Sequence, residues 1–293
     1  MKYLIITPAF NEAGNIAGFI RSVAAQTRKP VELVIVNDNS TDDTLAVAEE
    51  AAGGHSWIRV VNRRSRPEHI TGSKVAEAFL YGIAQITDPL PDVIVKLDAD
   101  LVLPPHYFET VLRQFEQNPK TGICGGVCAI RKGELLKPEI LTDRFHVRGA
   151  LKAYRRECYE QIGGIRPVYG WDTLDELLAA CHGWDTVVLP DLCVEHRAPT
   201  GNRTRSLKLH MMTGELFYRL GYGPVISLLA SAKRCTMHPF GISALISWIG
   251  YLWASLGRPS RYVDRSQAKC IRRLRYRRIL KKITGSTPTH GST

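Results

Sequence analysis

After its first apolar run the sequence has no G-x-G-x-x-G and no G-x-x-x-x-G-K-[ST]. By its motifs it is therefore neither a dinucleotide-binding dehydrogenase nor a P-loop ATPase. It also lacks any C-x-x-C pair. Its seven cysteines, Cys124, Cys128, Cys158, Cys181, Cys193, Cys235 and Cys270, are odd in number and scattered. That argues against zinc and for core packing. The opening apolar run is cut at Pro8, too short for a secretion signal, so the expected side is reducing and cytosolic. Acids are nearly missing from the tail. Residues 258–282 hold eleven basic residues and one acid, Asp264, a net +10 that leaves +1 for the rest of the chain. The basicity is thus a property of one segment. It suits an anionic membrane, or less well a nucleic acid.

What is present is a chain of 293 residues, enough for one large or two modest domains. Apolar runs lie at 2–7, 32–37, 57–61, 93–97, 123–130 and 186–189, with helical patterns near 13–26, 41–52, 73–86 and 106–117. Non-alternating strands separated by helices predict an α/β fold with a mostly parallel sheet buried on both faces. Right-handed crossovers then bring the strand C-termini to one edge, where such sheets bind ligands.

Three polar clusters follow these strands: Thr7-Pro8-Ala9-Phe10-Asn11-Glu12, Asn37-Asp38-Asn39-Ser40-Thr41-Asp42-Asp43, and Asp98-Ala99-Asp100. Ser40 or Thr41 is expected to cap the following helix. Residues i and i+2 of a strand point the same way, so Asp98 and Asp100 are expected to converge at a strand end. Two such carboxylates need a cation between them, and a small oxygen-only set suits Mg²⁺ or Mn²⁺ beside a phosphate.

The three ordered motifs resemble those of the inverting family 2 glycosyltransferases of the GT-A fold, over roughly residues 1–200. The resemblance implies a catalytic domain at 1–204 and assigns residues to roles. Pro8, Phe10 and Glu12 would line a nucleotide-sugar site, Asp38 would bind the base or ribose, and Asp98 would lie near ribose and diphosphate. Asp100 would be the firmest metal ligand, with Asp98 beside it. Asn37 stands where the family usually has an acid. The basic stretch from Arg63-Arg64-Ser65-Arg66 to Gly72-Ser73-Lys74 resembles the family's loop before the metal strand, and its cations, Arg63 and Lys74 among them, would face the diphosphate.

An inverting transfer to a hydroxyl needs a base. By resemblance this is an Asp at a helix start, and its distance from Gly183-Trp184 selects Asp172, preceded by Trp171 in place of the usual Glu. Asp175 at i+3 and Glu176 at i+4 lie near it on the same helix, so three carboxylates are candidates for the base, Asp172 first and Asp175 next. In Val194-Glu195-His196-Arg197 the resemblance makes His196 a third metal ligand. Arg197, Thr200 and Arg203 would close over the departing diphosphate.

Residues 205–293 form a second region of different texture. Leu207 to Leu220 reads as an amphipathic helix. Cys235 to Gly257 carries no formal charge, and Ile242 to Leu256 is strongly apolar, with Trp248, Tyr251 and Trp253. The apolar core is shorter than the roughly 20 residues of a bilayer span. With the basic helix after it, the run predicts a helical, membrane-associated segment lying on or dipping into an anionic surface.

These readings lead to a metal-dependent inverting transferase on the cytoplasmic face of a membrane, peripheral or monotopic. It would move sugar from a UDP- or GDP-linked donor to a membrane-linked saccharide or lipid. In a close variant the acceptor is a polyprenyl phosphate, which needs no base. A nucleotidyltransferase would normally show a glycine-rich loop after the first strand, absent here. A non-catalytic membrane or nucleic-acid module does not explain Asp38, Asp98 and Asp100 together.

Overall fold

The computed structural model describes residues 1–65, 72–133, 135–139, 146–197, 206–236 and 240–284. The chain forms two compact units, Met1–Pro199 and Thr200–Thr293.

In chain order the first unit runs β1 (Tyr3–Ala9), α1 (Ile16–Ala24), β2 (Glu32–Asp38), α2 (Thr44–Ala52), β3 (Ile58–Arg63), α3 (Ser73–Ala84), β4 (Val93–Leu97) and β5 (Leu101–Val102). It continues through α4 (Tyr107–Gln117), β6 (Thr121–Lys132), β7 (Leu135–Pro138), β8 (Leu151–Arg155), α5 (Arg156–Gln161), α6 (Trp171–Cys181) and β9 (Asp185–His196). One sheet has the order β3-β2-β1-β4-β8-β6-β9-β5, with β7 on β6.

The strands formed where apolar residues run without alternation. Every residue of β1 and of β4 is buried, as helices on both faces require. β1 to β4 are mutually parallel, which puts their C-terminal ends on one edge. The rest of the sheet is mixed and corrects the expectation of a mostly parallel sheet: β6 and β9 pair in parallel, but β8 runs antiparallel to both β4 and β6, and β5 antiparallel to β9. β8 is Leu-Lys-Ala-Tyr-Arg, whose cations hide it from an apolar-run search, yet Lys152 within it is fully buried. Gly125 and Gly126 let backbones touch in β6. A Cβ at Gly125 would lie 2.4 Å from the Leu151 carbonyl oxygen, and one at Gly126 2.2 Å from that of Leu192.

The second unit comprises α7 (Leu207–Arg219), α8 (Pro224–Ala232), a 3-10 turn at Lys233–Thr236, α9 (Ile242–Gly257) and α10 (Arg265–Ile283). Tyr218, Tyr251 and Ala254 form one hydrophobic cluster in it, with Phe217 and Trp248 packed against them, and Leu220, Tyr222, Ile226 and Ile271 are buried as well. A capping box starts α10: Asp264 accepts from the Gln267 amide at 2.8 Å, and the Gln267 side chain accepts from the Asp264 amide at 3.2 Å. Among the described residues no helix is long and apolar enough to cross a membrane.

Candidate active site

The ends of β1 and β2 are tied together. Asn11 (φ 55°) and Asn39 (φ 61°) both adopt the left-handed conformation that asparagine tolerates. The Asn11 amide donates to Ser40 Oγ at 3.0 Å, and Asn11 Oδ1 accepts from the Thr41 amide at 2.8 Å. Ser40 and Thr41 therefore brace the neighbouring loop instead of capping α2, correcting that expectation. α2 begins only at Thr44, whose amide donates to Asp42 Oδ1 at 3.1 Å.

On this platform Asp38 is buried. Its Oδ2 pairs with Arg63 Nη1 at 2.9 Å, and its Oδ1 has no hydrogen-bond partner among the described residues. Arg63, expected to face a diphosphate, is spent on Asp38 and on Glu77 at 3.0 Å. Residues 66–71 of that basic stretch lie outside the described residues, and Lys74 sits half-buried in the first turn of α3. Pro8 is buried in β1 beyond the last β1–β4 pair, Ile6 with Lys96, whereas Phe10 is exposed. Burial raises the Glu12 carboxyl above its ordinary value. Asn15 opposes this by a hydrogen bond, and the negative charges of Asp100, Asp98 and Asp42 add to it. Glu12 thus shares one electrostatic field with the Asp98–Asp100 turn.

That turn departs from the geometry expected of it. β4 stops at Leu97, so Asp98 and Asp100 lie beyond the strand and the same-face argument does not apply. Asp98 Oδ1 accepts from buried Lys96. Asp100 turns away toward β9, where His196 Nε2 lies 3.1 Å from its Oδ2. The other ring nitrogen of His196 faces Glu139 Oε1 at 3.2 Å, and Glu139 is ion-paired with Arg148.

Whether these residues suit a divalent cation can be judged from the donors. Asp100 Oδ1 is buried with no hydrogen-bond partner among the described residues, a costly state for a carboxylate oxygen unless something binds there. His196, with a carboxylate on its far nitrogen, has the arrangement that orients metal-binding imidazoles. Cys128, Glu139 and His196 also bring ligand atoms within 4.8 Å of one another. Burial, however, lifts the Cys128 thiol to about 11, which keeps it neutral, and Glu139 is held by Arg148. The donors therefore fit a hard cation at Asp100 and His196 better than a soft one at Cys128.

The two carboxylates of α6 are treated very differently. Asp175 is 2% exposed. Its Oδ1 accepts from Lys152 Nζ at 2.8 Å and from the Glu176 amide at 2.6 Å, and its Oδ2 from the Tyr154 hydroxyl. Burial raises it to about 7, against the opposing Lys152 charge. Both its oxygens are occupied inside the core. Asp172 keeps a third of its side chain exposed and faces His146 Nε2 at 3.5 Å. Glu176, the third carboxylate, holds the other side of that ring at 2.9 Å. Burial would lower His146, but hydrogen bonds with Asp172 and Glu176 outweigh it and bring it to about 10. Burial would likewise raise Asp172, but the His146 hydrogen bond and the Lys152 and Lys96 charges bring it down to about 2.

Two buried lysines join these parts. Lys96 and Lys152 are register partners across β4 and β8, and their Nζ atoms lie 5.5 and 5.8 Å from the Trp171 ring. Lys96 serves Asp98, and Lys152 serves Asp175 and Glu176. Lys96 was visible as a lone cation in an apolar run. His146, Lys152, Tyr154, Glu139 and Arg148 carried no sequence signal, because their partners are remote in the chain. Arg197 donates its amide to the Asp100 carbonyl at 3.0 Å. Its guanidinium crosses α1 at Gly18, where a Cβ would lie 2.8 Å from Nη1. Thr200 and Arg203 lie outside the described residues.

A mixed sheet with acidic turns at one edge defines an α/β enzyme of the GT-A type. Residues 4–169, more than half the chain, match the family model Glycosyl transferase family 2, and the chain belongs to that family. An uncharacterized glycosyltransferase of a Nostoc species is 28% identical over 190 residues, 57% of this chain and 55% of its own length. The chain therefore spans about half of that relative. The undecaprenyl-phosphate 4-deoxy-4-formamido-L-arabinose transferase of Serratia proteamaculans is 23% identical, with 99% of this chain and 96% of the relative aligned. A mannosyltransferase from Pyrobaculum calidifontis, solved with GDP-Man and Mn²⁺, shares the fold at a TM-score of 0.57 and 15% identity, over 96% of this chain and 80% of that one.

Proposed function

We propose that the protein is an inverting, metal-dependent hexosyltransferase that moves a sugar from a UDP- or GDP-linked donor to a membrane-linked saccharide or lipid acceptor. Residues 1–204 are its catalytic domain, and 205–293 attach it, as a peripheral or monotopic protein, to the cytoplasmic face of an anionic membrane. The observation that carries the catalytic reading is the divided pair of the Asp98–Asp100 turn: one carboxylate neutralised by Lys96, the other left with an open buried oxygen. Family 2 membership supports it, as do the GDP-Man and Mn²⁺ named for its structural relative.

Asp38, whose Oδ1 has no hydrogen-bond partner among the described residues, accepts from the base or ribose, and Pro8, Phe10 and Glu12 line that pocket. Mg²⁺ or Mn²⁺ held by Asp100 and His196, with Asp98 close by, supplies positive charge against the diphosphate when bound. Lys74 and Arg197 add to that charge from the protein. Asp172 receives the proton of an acceptor hydroxyl at its exposed carboxylate, while Asp175 holds Lys152 and the start of α6 in place. A second reading has a specific support. His146 lowers the basicity of Asp172, and a polyprenyl-phosphate acceptor needs no base. Release of nucleoside diphosphate from UDP- and GDP-sugars, with and without Mn²⁺, tests the proposal. No release from any donor, or release that ignores chelation, would overturn it.

A further inference from the structure

In the second unit α9 is turned inside out. Its buried positions are Ser243, Ala244, Ser247, Gly250, Tyr251 and Ala254, a single stripe at helical spacing made mostly of small or polar residues. The other side carries Ile242, Leu245, Leu252, Trp253 and Leu256, which are 50%, 59%, 42%, 68% and 82% exposed. The neighbouring α8 shows the pattern in part: Ser227 and Ser231 face inward beside Ile226, and Val225, Leu228 and Leu229 face outward. A helix in water does the reverse, hiding its large apolar side chains and wetting its serines.

The way the helices meet points to the same solvent. A Cβ on Gly214 of α7 would lie 1.9 Å from the Ser247 carbonyl oxygen, and one on Gly250 2.3 Å from that of Met211. α7 and α9 therefore approach backbone to backbone at Gly214 and Gly250, while Tyr218 and Tyr251 pack elsewhere along the pair with ring centroids 6.3 Å apart. Helices pack this way in lipid, where burying a leucine against a partner brings no gain over leaving it in acyl chains.

Charge selects the kind of surface. α8 and α9 contain no charged residue, Lys233 and Arg234 follow α8 directly, and α10 contributes nine basic residues and no acid. Apolar faces accompanied by cations match an anionic leaflet. The sixteen residues of α9 reach about 24 Å, less than the roughly 30 Å of a hydrocarbon core, so the helix lies in the leaflet and does not cross it.

We propose that the outward faces of α8 and α9 insert into the headgroup–acyl boundary of an anionic leaflet, while the basic residues of α10 engage lipid phosphates. This deepens the membrane-attachment reading by naming the residues that enter the bilayer, and it does not depend on glycosyl transfer.

The test is sedimentation of the full chain with vesicles of phosphatidylcholine alone or mixed equally with phosphatidylglycerol, without donor sugar. The wild type is expected to pellet with the mixed vesicles. Leu252→Ser with Leu256→Ser, both exposed positions, should raise the lipid needed for half-binding tenfold or more at unchanged circular dichroism. Arg273→Gln, Arg277→Gln and Arg278→Gln together should weaken binding to mixed vesicles only. Acyl-brominated lipid should quench the wild-type fluorescence, and Trp253→Phe should remove that quenching. Equal pelleting of the leucine variant, or no quenching of Trp253, overturns the proposal. So does a variant that turns a dimer into a monomer with vesicle binding intact, since the face would then belong to a second copy. Because no donor is present, loss of transferase activity and loss of vesicle binding are read separately.

Discussion

Lys96 and Lys152 lie opposite each other on antiparallel strands, both almost fully buried, and each is neutralised by a different acidic group. Two like charges at paired positions are tolerated only because Asp98 answers one while Asp175 and Glu176 answer the other, with Trp171 near both. The pair links the turn after β4 to the start of α6, the two places where the proposed chemistry resides.

The first consequence concerns stability. Removing one partner of a buried ion pair leaves an uncompensated charge, at a cost of roughly 3–5 kcal/mol. Asp175→Ala should lower the unfolding free energy by about 3 kcal/mol, since Glu176 still faces Lys152 at 3.1 Å. Urea unfolding measures this. Combining Asp175→Leu with Lys152→Met should recover much of the loss. Asp172→Asn, partly exposed, should cost about 1 kcal/mol or less and act on turnover instead.

Turnover of Asp172→Asn separates the two acceptor chemistries. With a hydroxyl acceptor, loss of the base should reduce kcat about a hundredfold or more. With a polyprenyl-phosphate acceptor the change should stay within about tenfold. Assaying both acceptor types with one variant preparation decides between them.

His146 gives a dependence on alkaline pH. Its folded pKa is raised to about 10, against about 6.5 when unfolded. Its contribution is full below the unfolded value, and it is lost as pH rises through the folded one. Between about pH 6.5 and 10 the slope attributable to this group is at most about 1.4 kcal/mol per pH unit. Denaturation curves of wild type and His146→Gln should converge toward pH 10. Curves that keep a constant separation would sink the assignment.

Asp100→Asn removes one charge from the proposed cation site while preserving shape. Mn²⁺ binding, followed by electron paramagnetic resonance of the free ion, should weaken at least tenfold, and His196→Ala should do the same. Asp98→Asn should weaken it less, because Lys96 already holds that carboxylate.

Asp38→Ala is expected to raise the donor KM about tenfold without lowering the melting temperature much, since Arg63 retains Glu77. Isothermal titration with the nucleoside diphosphate alone checks this.

Much of the architecture was legible in the chain because it depends on local burial. Apolar runs such as Val93–Leu97 and helical stripes such as 106–117 report it directly. β8 was not legible, since a strand containing Lys152 and Arg155 becomes interior only once carboxylates from α6 meet it. Capping of α2 by Ser40 or Thr41 was misjudged for a similar reason. The competing acceptors and donors, on Asn11, come from another loop.

The Asp98–Asp100 turn shows where local reading ends. Sequence by itself determined that acids cluster after β1, β2 and β4, and that basic charge collects in the tail, because these are facts of order along the chain. Which of two carboxylates two residues apart is neutralised, and which keeps an open oxygen, was decided by Lys96 and His196. Likewise, Asp172 and Asp175 are alike in sequence, and only the burial of Lys152 and Tyr154 beneath α6 makes one interior and the other accessible. Electrostatic environment is set by neighbours across strands, and those neighbours exist only in the folded chain.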